Sequence, residues 1–193
     1  MTRFAVILAA AGKSSRFKDN SFKKTFAPLE GKAVWLHSLD HFVNRDDVGQ
    51  ILIAIAADDR REFMERFGAN IAVLGVEVVL GGETRADTVE RALAKVRDDI
   101  EYVAVHDAAR PCVASVWIDD VFAAAQKVGA AILATPIVGT IKRVADGKIQ
   151  ETVARDGLWE AQTPQVVRRQ LLLDAYAQRG DFQPTDEAQL VEH

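Results

Sequence analysis

Cysteine is almost absent from this chain of 193 residues, since Cys112 is the only one. An intrachain disulfide and a metal site built from several cysteines are therefore both excluded. Basic residues are also in the minority, with 24 Lys and Arg against 28 Asp and Glu, so the formal net charge is −4. Because a general nucleic-acid binder usually carries a basic surface, we expect no nucleic-acid partner.

Long apolar runs are missing as well. No stretch approaches the roughly 20 apolar residues that a transmembrane helix needs, and the run at 3–9 has only the length of a buried strand. We therefore expect no membrane association and predict a cytoplasmic protein. Hydrophobic residues make up 49% of the chain and charged residues 27%, which is ordinary for a globular α/β domain.

Short apolar runs alternate with segments of helical periodicity along most of the chain. This alternation predicts right-handed βαβ units and a Rossmann-like, doubly wound α/β fold with a mostly parallel sheet. Ligands of such sheets bind at the carboxyl ends of the strands. The predicted strands are 3–9, 50–56, 76–80, 102–106 and 130–136, and the predicted helices are 34–43, 60–67, 88–96 and 117–128.

Beyond the last of these strands the pattern changes. Two short β-type runs, 140–144 and 149–153, are joined through Asp146-Gly147, a dipeptide that is typical of tight hairpin turns. We therefore predict a β-hairpin arm, at about 139–155, that projects from a single domain comprising all 193 residues.

The loop after the first predicted strand combines small residues with positive charge. It is not a Walker phosphate loop, which needs a glycine where Ile7 stands, nor a dinucleotide fingerprint, which needs glycines at Ser14 and Phe17. Small residues let backbone amides approach a phosphate, and Lys and Arg neutralise its charge, which favours a polyphosphate site. Alternatively, the small residues serve packing and the basic side chains are solvated. The residues concerned are Ala9, Ala10, Ala11, Gly12, Lys13, Arg16, Lys18, Lys23 and Lys24.

Two further strand-to-helix segments have an unusual composition. GGETRADT, at 81–88, could receive a base or a sugar, or it could form only the turn and the cap of the next helix. HDAARP, at 106–111, places Asp107 where it can bind Mg²⁺ beside a phosphate and Arg110 where it can clamp a second phosphate group. The alternative there is an Asp107–Arg110 ion pair beside a structural His106. Three such segments at one sheet edge favour a nucleotide site.

Seven motifs follow one another along the chain: LAAAGKSSRF, KKTFAPLEGK, GGETRADTV, VHDAARP, TPIVGTIKRV, ARDGLWEAQTPQ and TDEA. In this order they resemble the 2-C-methyl-D-erythritol 4-phosphate cytidylyltransferase family of the non-mevalonate isoprenoid pathway. The resemblance extends along essentially the whole chain. It implies a Rossmann-like fold, the use of CTP and a divalent cation, usually Mg²⁺, and a homodimer formed through the hairpin arm.

The same resemblance implies roles for individual side chains. Arg16 and Lys24 would be catalytic, stabilising the charge that builds on the α-phosphate of CTP as the acceptor attacks it. Asp107 would hold the metal or the ribose. Arm residues would act across the dimer interface. The nucleotide contacts would be Ala9, Ala10, Ala11, Gly12, Gly82, Glu83, Thr88, Asp107 and Ala108, and the acceptor phosphopolyol would meet Arg110, Thr140, Arg155 and Thr163, of which Thr140 and Arg155 lie on the arm.

Several positions depart from the family pattern, which normally has Gly at Ser14, Gln at Thr25 and Asp at Gly139 and Ala154. The two changes in the arm leave the acceptor open. One alternative is a cytidylyltransferase for another phosphopolyol, such as ribitol 5-phosphate. A second is a non-catalytic nucleotide-binding protein.

The end of the chain carries two further expectations. PTDEAQLVEH predicts a last helix with Thr185 as its N-cap, running to His193. Family members continue into an Asn-Ile-Lys-Val-Thr stretch whose Lys helps to bind the acceptor. We expect that this carboxyl-terminal segment is missing here.

Overall fold

The computed structural model of the chain describes residues 3–12 and 23–193. Within these residues lie ten β-strands and six α-helices. The strands are β1 (Phe4–Ala9), β2 (Pro28–Leu29), β3 (Lys32–Ala33), β4 (Val48–Ile55), β5 (Glu77–Leu80), β6 (Tyr102–Asp107), β7 (Ala130–Pro136), β8 (Ile141–Ala145), β9 (Lys148–Val153) and β10 (Trp159–Arg168). The helices are α1 (Val34–Asp40), α2 (Arg60–Leu74), α3 (Arg85–Leu93), α4 (Ser115–Val128), α5 (Arg169–Gln178) and α6 (Glu187–Glu192), with a short 3-10 helix at Ala57–Asp59.

Six of the strands form one mixed sheet in the order β5-β4-β1-β6-β10-β7. Strands β5, β4, β1 and β6 are mutually parallel, whereas β10 runs antiparallel to both of its neighbours. The prediction of an α/β fold with a mostly parallel sheet is therefore confirmed.

Strand β10 is the one strand of the main sheet that the sequence pattern does not predict, and β2, β3 and α5 were not predicted either. Pro164 lies inside it, and a proline normally argues against a central strand because it cannot donate a hydrogen bond to the ladder. In the structure the pairing of β10 with β7 shifts register between Ala161 and Gln165, so the proline falls in the irregular stretch. The regular ladder resumes at Gln165, which pairs with Val105 of β6.

Helices cover both faces of the sheet, as predicted. Alternate residues of β1 face opposite sides: Phe4, Val6 and Leu8 belong to the core beneath α1, α2 and α4, whereas Ala5 and Ile7 belong to the core beneath α3, α5 and α6. This double burial explains why β1 reads as a continuous apolar run. None of the helices in the described part of the chain is long and apolar enough to cross a membrane.

An aromatic cluster between α1 and α2 supports the segment that begins at Lys23. The ring of Phe63 lies 5.4 Å from that of Phe26, 5.3 Å from Trp35 and 5.3 Å from Phe67, measured between centroids. The backbone N–H of Trp35 donates to the carbonyl of Thr25 at 3.0 Å, and that of Phe26 donates to Lys23 at 2.9 Å. The cluster therefore fixes the chain on both sides of Lys24.

Three helix starts differ from the predicted ones. Helix α3 begins at Arg85, three residues earlier than its apolar periodicity indicates, and α4 begins at Ser115, two residues earlier than predicted. For α6 the predicted N-cap, Thr185, is wrong: the carboxylate of Asp186 accepts the hydrogen bond from the backbone of Gln189 instead. With Asp186 as the N-cap, Glu187 lies in the protein interior, where it meets the half-buried Arg85 described below.

The predicted hairpin arm is present. Strands β8 and β9 pair in antiparallel register, and the turn between them places Asp146 at φ 49° and Gly147 at φ 73°, the left-handed conformations that Asp-Gly turns supply. Nearly all arm side chains are exposed, including Val144 and its cross-strand partner Ile149.

We expect Phe63→Ala to lower the free energy of unfolding by about 3 to 5 kcal/mol, because it removes the ring at the centre of the aromatic cluster. Val73→Ala on the same helix is the matched control, since Val73 is 83% exposed and its loss should change stability by about 0.5 kcal/mol or less. Urea denaturation of both variants measures the difference, and equal effects would contradict this description of the core.

Candidate active site

The candidate site lies where the strand order reverses. Strand β1 pairs with β4 on one side and with β6 on the other, and its last residue, Ala9, stands between Ala54 and Asp107. In doubly wound sheets the crevice at such a switch point, outside the carboxyl ends of the strands, is where ligands bind. The structure therefore brings the loop after β1 and the HDAARP segment after β6 side by side.

Backbone hydrogen bonds hold the first loop at this edge. The N–H of Ala10 donates to the carbonyl of Ala54 at 2.8 Å, and the carbonyl of Ala9 accepts from Ala108 at 3.1 Å. Ala10 is buried, whereas Gly12 is exposed. The predicted catalytic residue Arg16, together with Lys13, Ser14 and Lys18, lies at 13–22, outside the described residues, so its role stays a prediction.

The second loop packs against the first at very short range. A Cβ added at Gly81 would lie 2.7 Å from the Cβ of Ala11 and 2.8 Å from the Oγ1 of Thr88, so glycine is required there by close approach. A Cβ at Gly82 would lie 2.4 Å from the Cβ of Asp87. Gly81 therefore lets the loops after β1 and β5 meet, while Gly82 lets the second loop close on the first turn of α3.

Thr88, predicted to contact the nucleotide, has its hydroxyl group engaged within this loop. Its Oγ1 accepts from the N–H of Gly82 at 3.0 Å and donates to the carbonyl of Thr84 at 2.9 Å, and the residue is buried. Thr84 also caps α3 in a capping box with Asp87. The turn-and-cap alternative for this segment is thus realised, while Glu83 remains exposed at the loop surface.

Asp107 is flanked by two guanidinium groups. Its Oδ2 accepts from the Nε of Arg110 at 2.9 Å, and its Oδ1 lies 3.7 Å from the Nη2 of Arg85. The Asp107–Arg110 ion pair that the sequence left as an alternative is therefore present. The Arg110 side chain also contacts Gln162. Because 45% of this side chain is exposed, it is accessible to a ligand from solvent.

Sequence reasoning did not single out Arg85 or its partner. Arg85 binds the carboxylate of Glu187 through two hydrogen bonds of 2.7 and 2.8 Å, and Glu187 is 1% exposed. Burial alone lowers the pKa of Arg85, but attraction to Glu187 and the hydrogen bonds outweigh it, so the pKa of Arg85 is raised. The only signal in the sequence was that both residues belong to motifs, GGETRADTV and TDEA.

His106 and Thr163 form a buried pair beneath Asp107. The Oγ1 of Thr163 lies 3.0 Å from the Nδ1 of His106 and accepts from the backbone N–H of Asp107 at 3.2 Å. The Nε2 of His106 donates to the carbonyl of Arg110 at 3.1 Å. Burial lowers the pKa of His106 to about 4, so its ring is neutral at pH 7. Thr163, predicted to bind the acceptor, therefore also links the strand β10 to the Asp107 backbone.

Lys23 and Lys24, at the start of the second described range, have different surroundings. The Nζ of Lys23 lies 2.5 Å from the Oδ2 of Asp59, whose side chain is only 9% exposed, so Lys23 is held in an ion pair. Lys24, the predicted catalytic lysine, has an exposed side chain on the same segment.

A cavity of about 630 Å³ opens next to Arg110. Its walls combine the charged side chain of Arg110 with large apolar side chains, Trp117 of α4 and Leu133 of β7. Its lining also includes Ala109, Arg110, Pro111, Cys112, Val113, Ala134, Thr135, Gln162 and Thr163.

The arm supplies the remaining predicted residues. Thr140 and Gly139 are exposed just before β8, and the guanidinium group of Arg155 donates to the carbonyl of Val138 at the base of the arm. Ala154 follows β9 and is exposed as well.

Asp107 offers a carboxylate to a divalent cation at this edge of the sheet. Among residues 3–12 and 23–193, no three His, Cys, Asp or Glu side chains come together as a metal site. Mg²⁺ is usually bound through one or two carboxylates together with substrate phosphates, so Asp107 fits a cation that arrives with a triphosphate.

Fold and site together define an α/β nucleotidyltransferase, with small-residue loops, a carboxylate and a lysine segment around the switch point of the sheet. The family model of 2-C-methyl-D-erythritol 4-phosphate cytidylyltransferase (IspD) matches residues 4–193. The chain belongs to this family.

Individual relatives agree with this assignment. The chain is 41% identical to a 2-C-methyl-D-erythritol 4-phosphate cytidylyltransferase of Rhodopirellula baltica, over 97% of this chain and 81% of the relative. A crystal structure of 4-diphosphocytidyl-2C-methyl-D-erythritol synthase superimposes with a TM-score of 0.80 at 32% identity, over 100% of this chain and 84% of the other. The enzyme of Thermus thermophilus gives a TM-score of 0.78 at 29% identity, over 100% and 84%.

We expect Gly81→Ala to lower the free energy of unfolding by about 1 to 3 kcal/mol, because the new methyl group would overlap Ala11 and Thr88. CTP binding, measured by calorimetry, should weaken in parallel as the two loops separate. The matched control is Gly68→Ala on α2, where the nearest atom is 3.8 Å away and the substitution should stabilise by about 0.5 to 1 kcal/mol. An unchanged Gly81→Ala protein would contradict the close approach.

The neutral state of His106 predicts a pH dependence of stability. Because the pKa of His106 is about 4 in the folded protein and 6.5 in its ordinary state, the unfolded chain takes up the proton first as pH falls. This contribution to stability is intact above pH 6.5 and is lost progressively toward pH 4. Between pH 7 and pH 5, the free energy of unfolding should fall by about 2 kcal/mol more than in His106→Gln, measured by urea denaturation. Equal losses in both proteins would refute the neutral assignment.

Proposed function

We propose that this chain is a cytidylyltransferase that couples CTP to 2-C-methyl-D-erythritol 4-phosphate, releases pyrophosphate and forms the CDP-methylerythritol intermediate of isoprenoid biosynthesis. The observation that carries the proposal is the convergence of Ala9–Gly12, Gly81–Glu83 and Asp107 at the switch point of a sheet whose chain belongs to this family.

The nucleotide would lie across the surface formed by the first two loops. Ala9, Ala10, Ala11 and Gly12 allow its phosphates to approach the backbone, and Gly82, Glu83 and Ala108 border the same crevice. Because the hydroxyl of Thr88 is already shared between Gly82 and Thr84, Thr88 would contribute by shaping the loop. Arg16 and Lys24 would stabilise the charge that builds on the α-phosphate.

The acceptor would occupy the cavity beside Arg110. Its phosphate can bind the exposed guanidinium group of Arg110, which is able to make bidentate hydrogen bonds. The apolar lining residues Trp117 and Leu133 suit a methyl-bearing carbon chain. Thr163 lines the cavity as well, although its hydroxyl is engaged with His106 and Asp107.

A second copy of the chain would complete this site. The arm exposes Val144 and Ile149, and beside its base Trp159 is 61% exposed. Exposed apolar surface of this kind marks protein contacts, so we infer a homodimer in which the arm of each subunit covers the other. Thr140 and Arg155 would then reach the acceptor from the neighbouring subunit.

The reaction requires no covalent intermediate. A phosphate oxygen of the acceptor attacks the α-phosphorus of CTP in line, a new P–O bond forms, and the bond from the α-phosphorus to the bridging oxygen breaks as pyrophosphate leaves with the electron pair. No general base is needed, because the second pKa of a phosphate monoester is about 6 and the nucleophile is already ionised. A bound Mg²⁺, held by Asp107 and the phosphates, would neutralise charge on the triphosphate.

A cytoplasmic location stays a prediction of the sequence.

We expect Lys24→Ala to lower kcat for CTP-dependent pyrophosphate release roughly a hundredfold, because it removes one group that stabilises the transition state. The matched control is the neighbouring Lys23→Ala, which loses only its ion pair with Asp59 and should stay within about threefold of the unmodified chain. No release by the unmodified chain with 2-C-methyl-D-erythritol 4-phosphate would refute the proposal.

The same assay, run with both acceptors in competition, distinguishes the remaining alternative. The family positions that differ in the arm, Gly139 and Ala154, motivate ribitol 5-phosphate as the competing substrate. Preference for ribitol 5-phosphate would replace the proposed acceptor while leaving the enzyme class intact.

A further inference from the structure

A buried hydrogen-bonded chain runs beneath the turn that carries Asp107 and Arg110. It consists of the backbone N–H of Asp107, the hydroxyl of Thr163, the ring of His106 and the carbonyl of Arg110, with distances of 3.2, 3.0 and 3.1 Å between successive partners. His106 is 0% exposed and Thr163 is 7% exposed, so solvent does not compete for these bonds.

The direction of each hydrogen bond in this series follows from its last partner, the carbonyl of Arg110. A carbonyl oxygen can only accept, so the Nε2 of His106 must carry the hydrogen that binds Arg110. In a neutral imidazole the Nδ1 is then an acceptor and receives the hydroxyl hydrogen of Thr163. The oxygen of Thr163 is in turn free to accept from Asp107. Every donor therefore meets an acceptor along the whole series of bonds.

The chain fixes both ends of the turn. One end is the backbone of Asp107, whose side chain faces the nucleotide crevice, and the other is the backbone of Arg110, whose side chain lines the cavity. Between them, the carbonyl of Ala108 accepts from the buried hydroxyl of Ser38 at 2.9 Å. His106 bonds Arg110 directly and reaches Asp107 through Thr163, in addition to the bond from the backbone N–H of Arg110 to the carbonyl of Asp107 at 3.0 Å.

We propose that His106 is a positioning residue that holds Asp107 and Arg110 at their places in the two halves of the active site, and that Thr163 acts chiefly as its link to Asp107. This inference rests on the proposed function, since it assigns the two ends of the turn to CTP and to the acceptor. His106 itself touches neither substrate in this scheme, and no proton is transferred through it.

Two substitutions separate the two ends of the chain. In His106→Asn, the side-chain oxygen can replace Nδ1 as the acceptor for Thr163, but the donor to Arg110 is lost. In His106→Gln, the terminal amide can replace Nε2 as the donor to Arg110, but the acceptor for Thr163 is lost. We expect the two variants to affect different substrates. His106→Asn should raise KM for the acceptor roughly tenfold and change KM for CTP little. His106→Gln should raise KM for CTP roughly tenfold and change KM for the acceptor little.

Thr163 provides an independent pair of variants. Thr163→Val keeps the shape but removes the hydroxyl, and it should raise KM for CTP as His106→Gln does. Thr163→Ser keeps the hydroxyl and should restore KM to within about threefold of the unmodified value. If Thr163 instead served mainly as an acceptor contact, Thr163→Val would raise KM for the acceptor alone and would overturn the proposal.

Gln50→Met is a control variant that should lower stability without moving Asp107 or Arg110. Gln50 is a buried polar residue near the amino end of β4, where it bonds Glu77, Lys95 and the backbone of Arg97. We expect this variant to lower Tm with both KM values unchanged. If the His106 variants changed both KM values equally, in step with Tm, His106 would be only structural and the proposal would fail.

A measurement that needs no turnover distinguishes failure of this inference from failure of the proposed function. Nitrogen NMR of the ring should show a hydrogen on the Nε2 of His106 and none on its Nδ1, and Thr163→Val should shift the Nδ1 signal. A hydrogen on Nδ1 would overturn the inference even in an active enzyme. An inactive chain with the expected ring signal would refute the cytidylyltransferase assignment, and unchanged CTP affinity of His106→Gln by calorimetry would then refute the positioning role as well.

Discussion

The site depends on the pairing of β1 between β4 and β6. Because Ala9 stands between Ala54 and Asp107 at the last rung of the ladder, the loop after β1 and the turn after β6 begin at the same point of the sheet. The loop after β5 joins them through the close approach of Gly81 to Ala11. Any shift in the register of β1 would separate these segments. A slip of one residue would also exchange the side chains that β1 contributes to the two cores.

Charge around this point is balanced by groups from distant parts of the chain. Arg85, at the start of α3, binds the buried carboxylate of Glu187 on α6 and lies 3.7 Å from Asp107. Burying such a pair is costly, and removal of one partner would leave an uncompensated charge in the interior. The pair therefore ties the last described helix to the carboxylate of the candidate site, in addition to any net contribution to stability.

Several residues that the family pattern assigns to ligand binding have their polar groups engaged inside the protein. The hydroxyl of Thr88 closes its own loop, and the hydroxyl of Thr163 joins β10 to the Asp107 backbone. Binding and support are not exclusive roles, since a crevice that must hold a triphosphate rigidly needs walls whose own hydrogen bonds are satisfied. The family resemblance identified both threonines, but the partners of Thr88 lie within its own loop, whereas those of Thr163 lie on another strand, β6.

The sequence by itself determined the βαβ alternation, the hairpin arm and the three segments at the sheet edge, because apolar periodicity, an Asp-Gly turn and small-residue loops are local signals. It did not predict β10, since Pro164 interrupts the pattern of a central strand, and it placed the cap of α6 at Thr185 instead of Asp186 because both residue types can cap. Only the tertiary structure decided that His106 is neutral and joined to Thr163, and that Arg85 meets Glu187. Those pairs join residues 57 and 102 positions apart, so their energies arise from the packing of the sheet and are absent from any local stretch of the chain.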